Sequence, residues 1–263
     1  IDEAVKLDPN NIRALQYRGE LLRFQFGLGA ALPWFERALQ LDPNDVALLT
    51  EYAATLGDMG RMRDMLVIAR KIIALDGKNP RAFFMQSVLA ARAGEYKLAR
   101  TLMQKTEGRL DTQAAVILVQ GVIEYEEGNY NAAVDKFRRL TSIQPNNRQA
   151  QNLLARSLYQ AGDATEAVAV LKPQVNRSGA EPYALWLAGR SLELLGKRGE
   201  AIGVFNRAAR HDVGGAEAFP PETPINILAA EAGRSPDNAR VVIPYIRALY
   251  HSGNYGAAFA QAK

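Results

Sequence analysis

The 263-residue chain contains no cysteine. That excludes disulfides, thiolate metal sites and cysteine nucleophiles from this sequence. Histidine is nearly absent too: His211 and His251 are far apart in the chain, in different units, and form no metal-ligand spacing. Long apolar runs are missing as well. The longest, Ala114 to Val119, is far too short to span a membrane. No leader pattern opens the chain, since Ile1-Asp2-Glu3-Ala4 reads as helix; any targeting segment is expected outside this sequence. Other catalytic signatures fail on geometry. Glu126 and Glu127 are adjacent, so a helix points them apart, whereas paired acid–base chemistry needs convergence. Gly27-Leu28-Gly29 is too short for a phosphate loop and follows no strand. Asn176-Arg177-Ser178 matches a glycosylation sequon, a pattern common by chance. The expectation is no catalytic residue, no metal and no cofactor.

The net charge is +4, with arginine (23) well ahead of lysine (9). A solvated surface of mild basic bias accounts for this. A nucleic-acid groove would need that charge gathered on one face beside stacking aromatics, so nucleic acid is not the expected partner.

The dominant positive feature is a ladder. Gly60, Gly94, Gly128, Gly162 and Gly196 follow one another at one constant interval, with Ala99, Ala133, Ala167 and Ala201 five residues after the last four of them. Phe35, Phe137 and Phe205 mark a further slot. A fixed period in the range of about 20–50 residues is the signature of stacked repeats. Leu7-Asp8-Pro9-Asn10, Leu41-Asp42-Pro43-Asn44 and Ile143-Gln144-Pro145-Asn146 close successive units, proline ending each helix. Counting from three residues past each proline numbers the slots 1 to 34. The units are then 12–45, 46–79, 80–113, 114–147, 148–181 and nominally 182–215. Residues 1–11 end a preceding repeat, 212–238 form an insertion with a short helix at 225–232, and 239–263 form an incomplete seventh repeat.

Within a unit, apolar residues recur three and four apart in two blocks on either side of the glycine, as in Val116, Ile117, Gly121 and Ile123, then Tyr130, Ala133, Val134, Phe137 and Leu140. Each block is one helical face, so each unit is a helical hairpin. Glycine at slot 15 permits a tight turn with φ > 0, and a valine at Gly128 is expected to cost turn strain and crowding. Small residues at slots 8 and 20 let the helices approach, and the larger residue at slot 24 is expected to fill space toward the next hairpin.

Gly or Ala at slot 8, Gly at 15, Tyr at 17 (Tyr96, Tyr130, Tyr255), Ala at 20, Phe at 24, Ala at 27 (Ala38, Ala208) and Pro at 32 resemble the tetratricopeptide repeat over nearly the whole chain. The resemblance implies an all-α solenoid, a right-handed superhelix of antiparallel helix pairs whose first helices line a concave groove for peptides or partner proteins. Several departures from the pattern are expected to have consequences. Phe26 occupies slot 15 of the first unit, with Gly27 and Gly29 displaced, and Pro33 should delay or bend that unit's second helix. Pro173 should shorten the second helix of the fifth unit, and Pro244 should kink the first helix of the last.

By the same resemblance, slots 2, 5, 9 and 12 of each first helix face the groove. These are Arg81, Phe84, Val88 and Ala91, then Ala115, Leu118, Val122 and Tyr125, an apolar floor. Farther along, slot 9 holds Arg156, Arg190 and Arg247, beside Tyr159, Tyr183, Trp186 and Tyr250. Arginine in register suits carboxylates or phosphates, whose geometry its planar fork matches. The competing reading pairs these arginines with neighbours such as Glu193 on a solvated surface. The resembling members that clamp chaperone tails carry Lys, Asn and Arg at slots 5 and 9. Here slot 5 reads Gln16, Thr50, Phe84, Leu118, Asn152, Trp186 and Ile243, and slot 9 reads Glu20, Ala54, Val88, Val122, Arg156, Arg190 and Arg247. No three successive units match.

The function these observations favour is a non-enzymatic scaffold for a protein or peptide partner, acidic toward the C-terminal half. The Arg- and Ala-rich composition suggests a bacterial source, in the periplasm or cytoplasm, and by family analogy an envelope, secretion or polysaccharide-export assembly. Two alternatives stay open: a regulatory or substrate-recruiting arm of a larger enzyme, and RNA binding through a basic surface. Both ends fall inside a hairpin without polar capping elements, so a longer protein, or self-association through uncapped ends, is expected.

Overall fold

The structure, a computed structural model, describes residues 2–209, 223–236 and 238–262. Among them there are sixteen helices and no strand. A short α1 (Asp2–Leu7) precedes the pairs α2 (Ile12–Phe26) and α3 (Leu28–Leu41), α4 (Val46–Asp58) and α5 (Met62–Leu75), and α6 (Pro80–Arg92) and α7 (Tyr96–Gln104). The next pairs are α8 (Ala114–Glu126) and α9 (Tyr130–Ile143), α10 (Arg148–Ala161) and α11 (Ala164–Val175), and α12 (Pro182–Leu194) and α13 (Arg198–Ala208). A single α14 (Ile225–Arg234) precedes α15 (Ala239–His251) and α16 (Tyr255–Gln261). The loop expected from 212 to 222, and His211, lie outside the described residues. Two compact units result, Ile1–Met85 with Pro221–Lys263, and Gln86–Pro220.

Three sequence devices, each recurring with the repeat, build a hairpin. At its entry, Asn11, Asp45, Asn79 and Asn147 occupy slot 34, and each side-chain oxygen accepts the backbone N–H three residues on, at 3.0–3.1 Å. This satisfies one of the orphan donors of the first turn. At its tip, the ladder glycines hold φ between 73° and 88°. That region penalises any residue with a Cβ. At Gly128, however, a Cβ would meet nothing within 4 Å, so strain acts there without the expected crowding.

Inside the hairpin, slot 8 and slot 24 are complementary. A Cβ on Gly19, Gly121 or Gly189 would sit 2.7, 2.6 or 2.5 Å from ring carbons of Phe35, Phe137 and Phe205. The phenylalanine therefore fills the hollow above its own unit's glycine and at the same time packs toward the next hairpin, Phe35 clustering with Leu48. Where slot 8 is larger, slot 24 shrinks: Ala155 faces Leu171 in the α10–α11 unit, both fully buried. Phe137 anchors a core with Ile117, Leu140, Leu153, Leu154 and Leu158, so successive hairpins share one continuous apolar interior.

A tie between neighbours completes the stack. Slot 26 is basic in Arg37, Lys71, Lys105, Arg139 and Arg207. Arg37 donates to the Pro9 carbonyl at 2.8 Å, Lys71 to the Pro43 carbonyl, and Arg207 to the Arg177 carbonyl at 2.7 Å. Each cation thus reaches back to the chain just past the preceding second helix, where carbonyls lack helical donors.

The departures resolve individually. Gly27, at φ 89°, is the whole connection between α2 and α3. Pro33 does not delay α3, which begins at Leu28 and runs through it. As the sixth helical residue, it deprives only the Gly29 carbonyl of a donor, at an exposed first turn. Helix α11 has 12 residues against 14 in α3, α5 and α9, ending two residues past Pro173. Pro244 lies inside α15 without ending it. Unforeseen is the early end of α7 after 9 residues, followed by Glu107 and Gly108 at φ 52° and 70°.

Candidate functional site

The expected partner-facing residues divide between the two units. Arg81, Phe84, Arg247 and Tyr250 belong to the first; Val88, Leu118, Val122, Tyr125, Arg156, Tyr159, Tyr183, Trp186 and Arg190 belong to the second. In the first unit Arg81 is bonded to Glu51 at 2.6 Å, and Arg23 approaches the same carboxylate at 3.5 Å, so Arg81 answers to an acid of its own neighbour. Phe84 is half-buried. Arg247 is exposed, and Tyr250 packs edge-on against Tyr255 with ring centroids 5.0 Å apart.

In the second unit the apolar floor is sunk deeper than expected. Val122 and Tyr125 belong to the buried core, while Val88 and Leu118 are half-buried. Above this floor stand two arginines, each set against a tyrosine, Arg156 half-buried and Arg190 exposed. The Arg156 guanidinium lies 4.4 Å from the centroid of the Tyr125 ring and also donates to its hydroxyl. One repeat on, Arg190 donates to the Tyr159 hydroxyl and to Glu193 Oε2 at 2.6 Å. Each of these slot-9 arginines is thus propped by the slot-12 tyrosine of the preceding unit. The Glu193 partner of the competing reading is present as well, with both members of that pair more than 40% exposed. Such pairs contribute little stability.

The electrostatics follow from these contacts. Burial pushes the Tyr125 hydroxyl above its ordinary value, and Arg156 acts in the opposite sense. The hydrogen bond to Tyr159, with Glu193 adding, raises the Arg190 guanidinium further. Beside the arginines, Tyr183 and Trp186 stack obliquely at 5.9 Å, and Trp186 is 39% exposed. Behind them is a buried amide cluster. Gln174 donates to Gln151 and Asn152, and Asn152 donates to Glu181, which fixes slot 5 of α10 as scaffold instead of contact surface.

Sequence reasoning missed the tyrosine props, although one signal was available: Tyr125 to Arg156 and Tyr159 to Arg190 have the same spacing. It also missed a cleft of ≈ 210 Å³ where α7 stops early, lined by Arg100, Met103, Asp111, Gln120, Glu124 and Lys136 among others. Its polar groups hold one another. Arg100 grips Glu124 at 2.9 Å and Glu127 at 2.6 Å, Gln120 donates to Asp111 at 2.7 Å, and Lys136 donates to Gln120 at 2.9 Å. Among the described residues no group of three or more His, Cys, Asp or Glu side chains could hold a metal ion. No described helix is long and apolar enough to cross a membrane.

A family model for anaphase-promoting complex, cyclosome, subunit 3 matches residues 126–208, the stretch that carries Arg156 and Arg190. No curated protein matches the chain by sequence. Among solved structures, YrrB, described as a TPR protein with an unusual peptide-binding site, aligns with a TM-score of 0.58 at 16% identity, over 67% of this chain and 91% of its own. PilW, a widely conserved type IV pilus biogenesis factor, aligns with a TM-score of 0.58 at 17% identity, over 73% and 90%. A chain of the APC/C hetero-tetramer Cut9–Hcn1 aligns with a TM-score of 0.62 at 12% identity, over 94% of this chain and 44% of that one. At these identities the likeness is one of fold. The period of its hairpins and these likenesses give the chain the tetratricopeptide-repeat fold.

Proposed function

We propose that this protein is a non-enzymatic interaction scaffold, and that the first-helix face of the second unit takes an acidic segment of a partner protein along α10 and α12. One observation carries the reading: Arg156 and Arg190 stand at the same slot of successive first helices, each held by a tyrosine, with exposed Trp186 beside them. Propped guanidinium groups lose little freedom when they bind a carboxylate, and aromatic neighbours add contact area at low entropy cost. The peptide-binding site ascribed to YrrB supports the same use of the fold. The proposed setting is a bacterial assembly of the envelope, secretion or polysaccharide-export kind, supported by composition and by the fold likeness to PilW.

The test is a peptide array of 12-residue segments graded in net charge, probed with the parent protein and with the Arg156→Ala/Arg190→Ala double variant. Acidic, aromatic-containing segments should be retained by the parent and released by the variant, with retention falling as salt rises. Identical profiles for the two proteins would refute the assignment.

A further inference from the structure

The last hairpin makes a contact that the repeat pattern does not require. Slot 18 holds glycine at Gly29, Gly199 and Gly256. A Cβ on Gly199 or Gly256 would meet nothing within 4 Å, whereas one on Gly29 would stand 3.1 Å from the Tyr250 hydroxyl. Gly29 lies in the first turn of α3, where its backbone is not left-handed and no turn demands a glycine. The missing side chain makes room for a residue from the far end of the sequence. Both residues belong to the first unit, which the chain leaves at Met85 and rejoins at Pro221.

A second point of contact lies one hairpin on. Burial works to lower the Arg61 guanidinium, at the tip between α4 and α5. It nevertheless stands above its ordinary value, through its bond to Asp64 at 2.7 Å and the nearness of Tyr255 and Tyr52. Tyr250 and Tyr255 occupy slots 12 and 17, with ring centroids 5.0 Å apart. The same two slots pair Tyr125 with Tyr130 at 5.3 Å, and there the following hairpin sets Arg156 against Tyr125. In the last repeat the arginine beside the pair is Arg61, from the second.

This contact is lightly built. Tyr250 and Tyr255 are 40% and 49% exposed, against 9% for Tyr125. Among the described residues of α14, α15 and α16 only Ala232, Leu249 and Ala258 are buried, whereas α10 alone buries seven residues. Segments with so few buried contacts open more readily than the stack they rest on.

We propose that the last hairpin is a reversible latch on this chain's own first two hairpins, with the Tyr250 hydroxyl seated over Gly29 and Tyr255 beside Arg61. Closed, it joins the two stretches of the first unit between which the second unit is inserted. Open, it bares the tyrosine pair and the tips of both hairpins. Tyr250 thereby serves the latch and not the partner segment taken along α10 and α12.

The chain has no cysteine, so two can be introduced without interference. Spin labels on Arg70→Cys and Gln261→Cys, both exposed positions, report the latch in the full chain by double electron–electron resonance, alongside hydrogen exchange. The labelled pair should give one narrow distance peak. Gly29→Ile, whose branched Cβ adds bulk under the hydroxyl, should broaden that peak and speed amide exchange in α15 and α16 about tenfold. Gly199→Ile, at the same slot over open space, should change neither. In a Tyr250→Ala background Gly29→Ile should have no further effect. A peak and an exchange pattern that survive Gly29→Ile would overturn the latch. Loss of the peak on mixing with excess unlabelled protein would place the tyrosines on a second copy and overturn the assignment within one chain.

Discussion

Replacing Gly121 by alanine places a methyl group 2.6 Å from the ring of Phe137, a side chain with no exposure to solvent. Carbon atoms rest at about 3.5–4.0 Å, so the ring must retreat by about 1 Å into a packed interior. Overpacking of this kind costs about 1–3 kcal/mol. Alanine returns about 1 kcal/mol through its helix propensity, which leaves a net loss of about 0–2 kcal/mol. Phe137→Leu alone opens a cavity and should cost about 0.5–3 kcal/mol. Together the two changes recreate the pairing that Ala155 and Leu171 already make in the α10–α11 unit, where both are fully buried. The double variant should therefore lose less than the sum of the singles, with a coupling of about 0.5–3 kcal/mol. Repeat arrays depart from two-state unfolding, so the cycle is best read by native-state hydrogen exchange at amides of α8 and α9, alongside urea midpoints. Additive losses would show that slots 8 and 24 are not one packing decision, and the account of hairpin closure would fail.

Gly128→Ala should cost about 1–2 kcal/mol through left-handed backbone strain alone, and Gly128→Asn less; a melting temperature equal to the parent's in both would contradict the turn assignment. Arg37→Met removes the bond to the Pro9 carbonyl and should speed amide exchange in α1 while leaving α4 and α5 unchanged; uniform protection would show that the tie is idle. The Arg100 hydrogen bond holds the Glu124 carboxyl below its ordinary 4.5. A group whose folded pKa is depressed contributes stability in full above the unfolded value, and that contribution disappears as pH falls through the folded one. Melting temperature should therefore drop as pH is lowered from about 5, and drop less in Glu124→Gln; parallel curves would exclude this network as an acid-labile element.

Much of the fold can be read from residue types because each repeat solves the same local problems with the same residues. Gly128 announces a left-handed turn and Asn147 a helix start, while Gly121 with Phe137 is a volume match written within a single unit. These are short-range constraints, and periodicity multiplies the evidence for them. The early end of α7 escaped because it depends on Glu107 and Gly108 both taking positive φ, and glutamate seldom announces that. Pro33 misled for the opposite reason, since a rule about helix interiors was applied to a residue close enough to the first turn to escape most of its cost. At the candidate site, slot numbers found Arg156 and Arg190. The depth of Val122 and Tyr125, and the propping of each arginine by a tyrosine on the previous hairpin, depend on how neighbouring units nest, which one unit's sequence does not encode.

The slot-26 cation has a further consequence for how such a chain can be lengthened or recombined. Its reach from Arg37 back to Pro9, or from Lys71 back to Pro43, crosses the seam between adjacent hairpins and is fixed in length. Residues added at the glycine tips leave that reach untouched, whereas residues added between a second helix and the following first helix stretch it. The interchangeable cassette is accordingly a hairpin together with the proline turn that precedes it. Duplications cut just before the prolines keep both ends of each clasp on one piece, and those cut at the tips separate them.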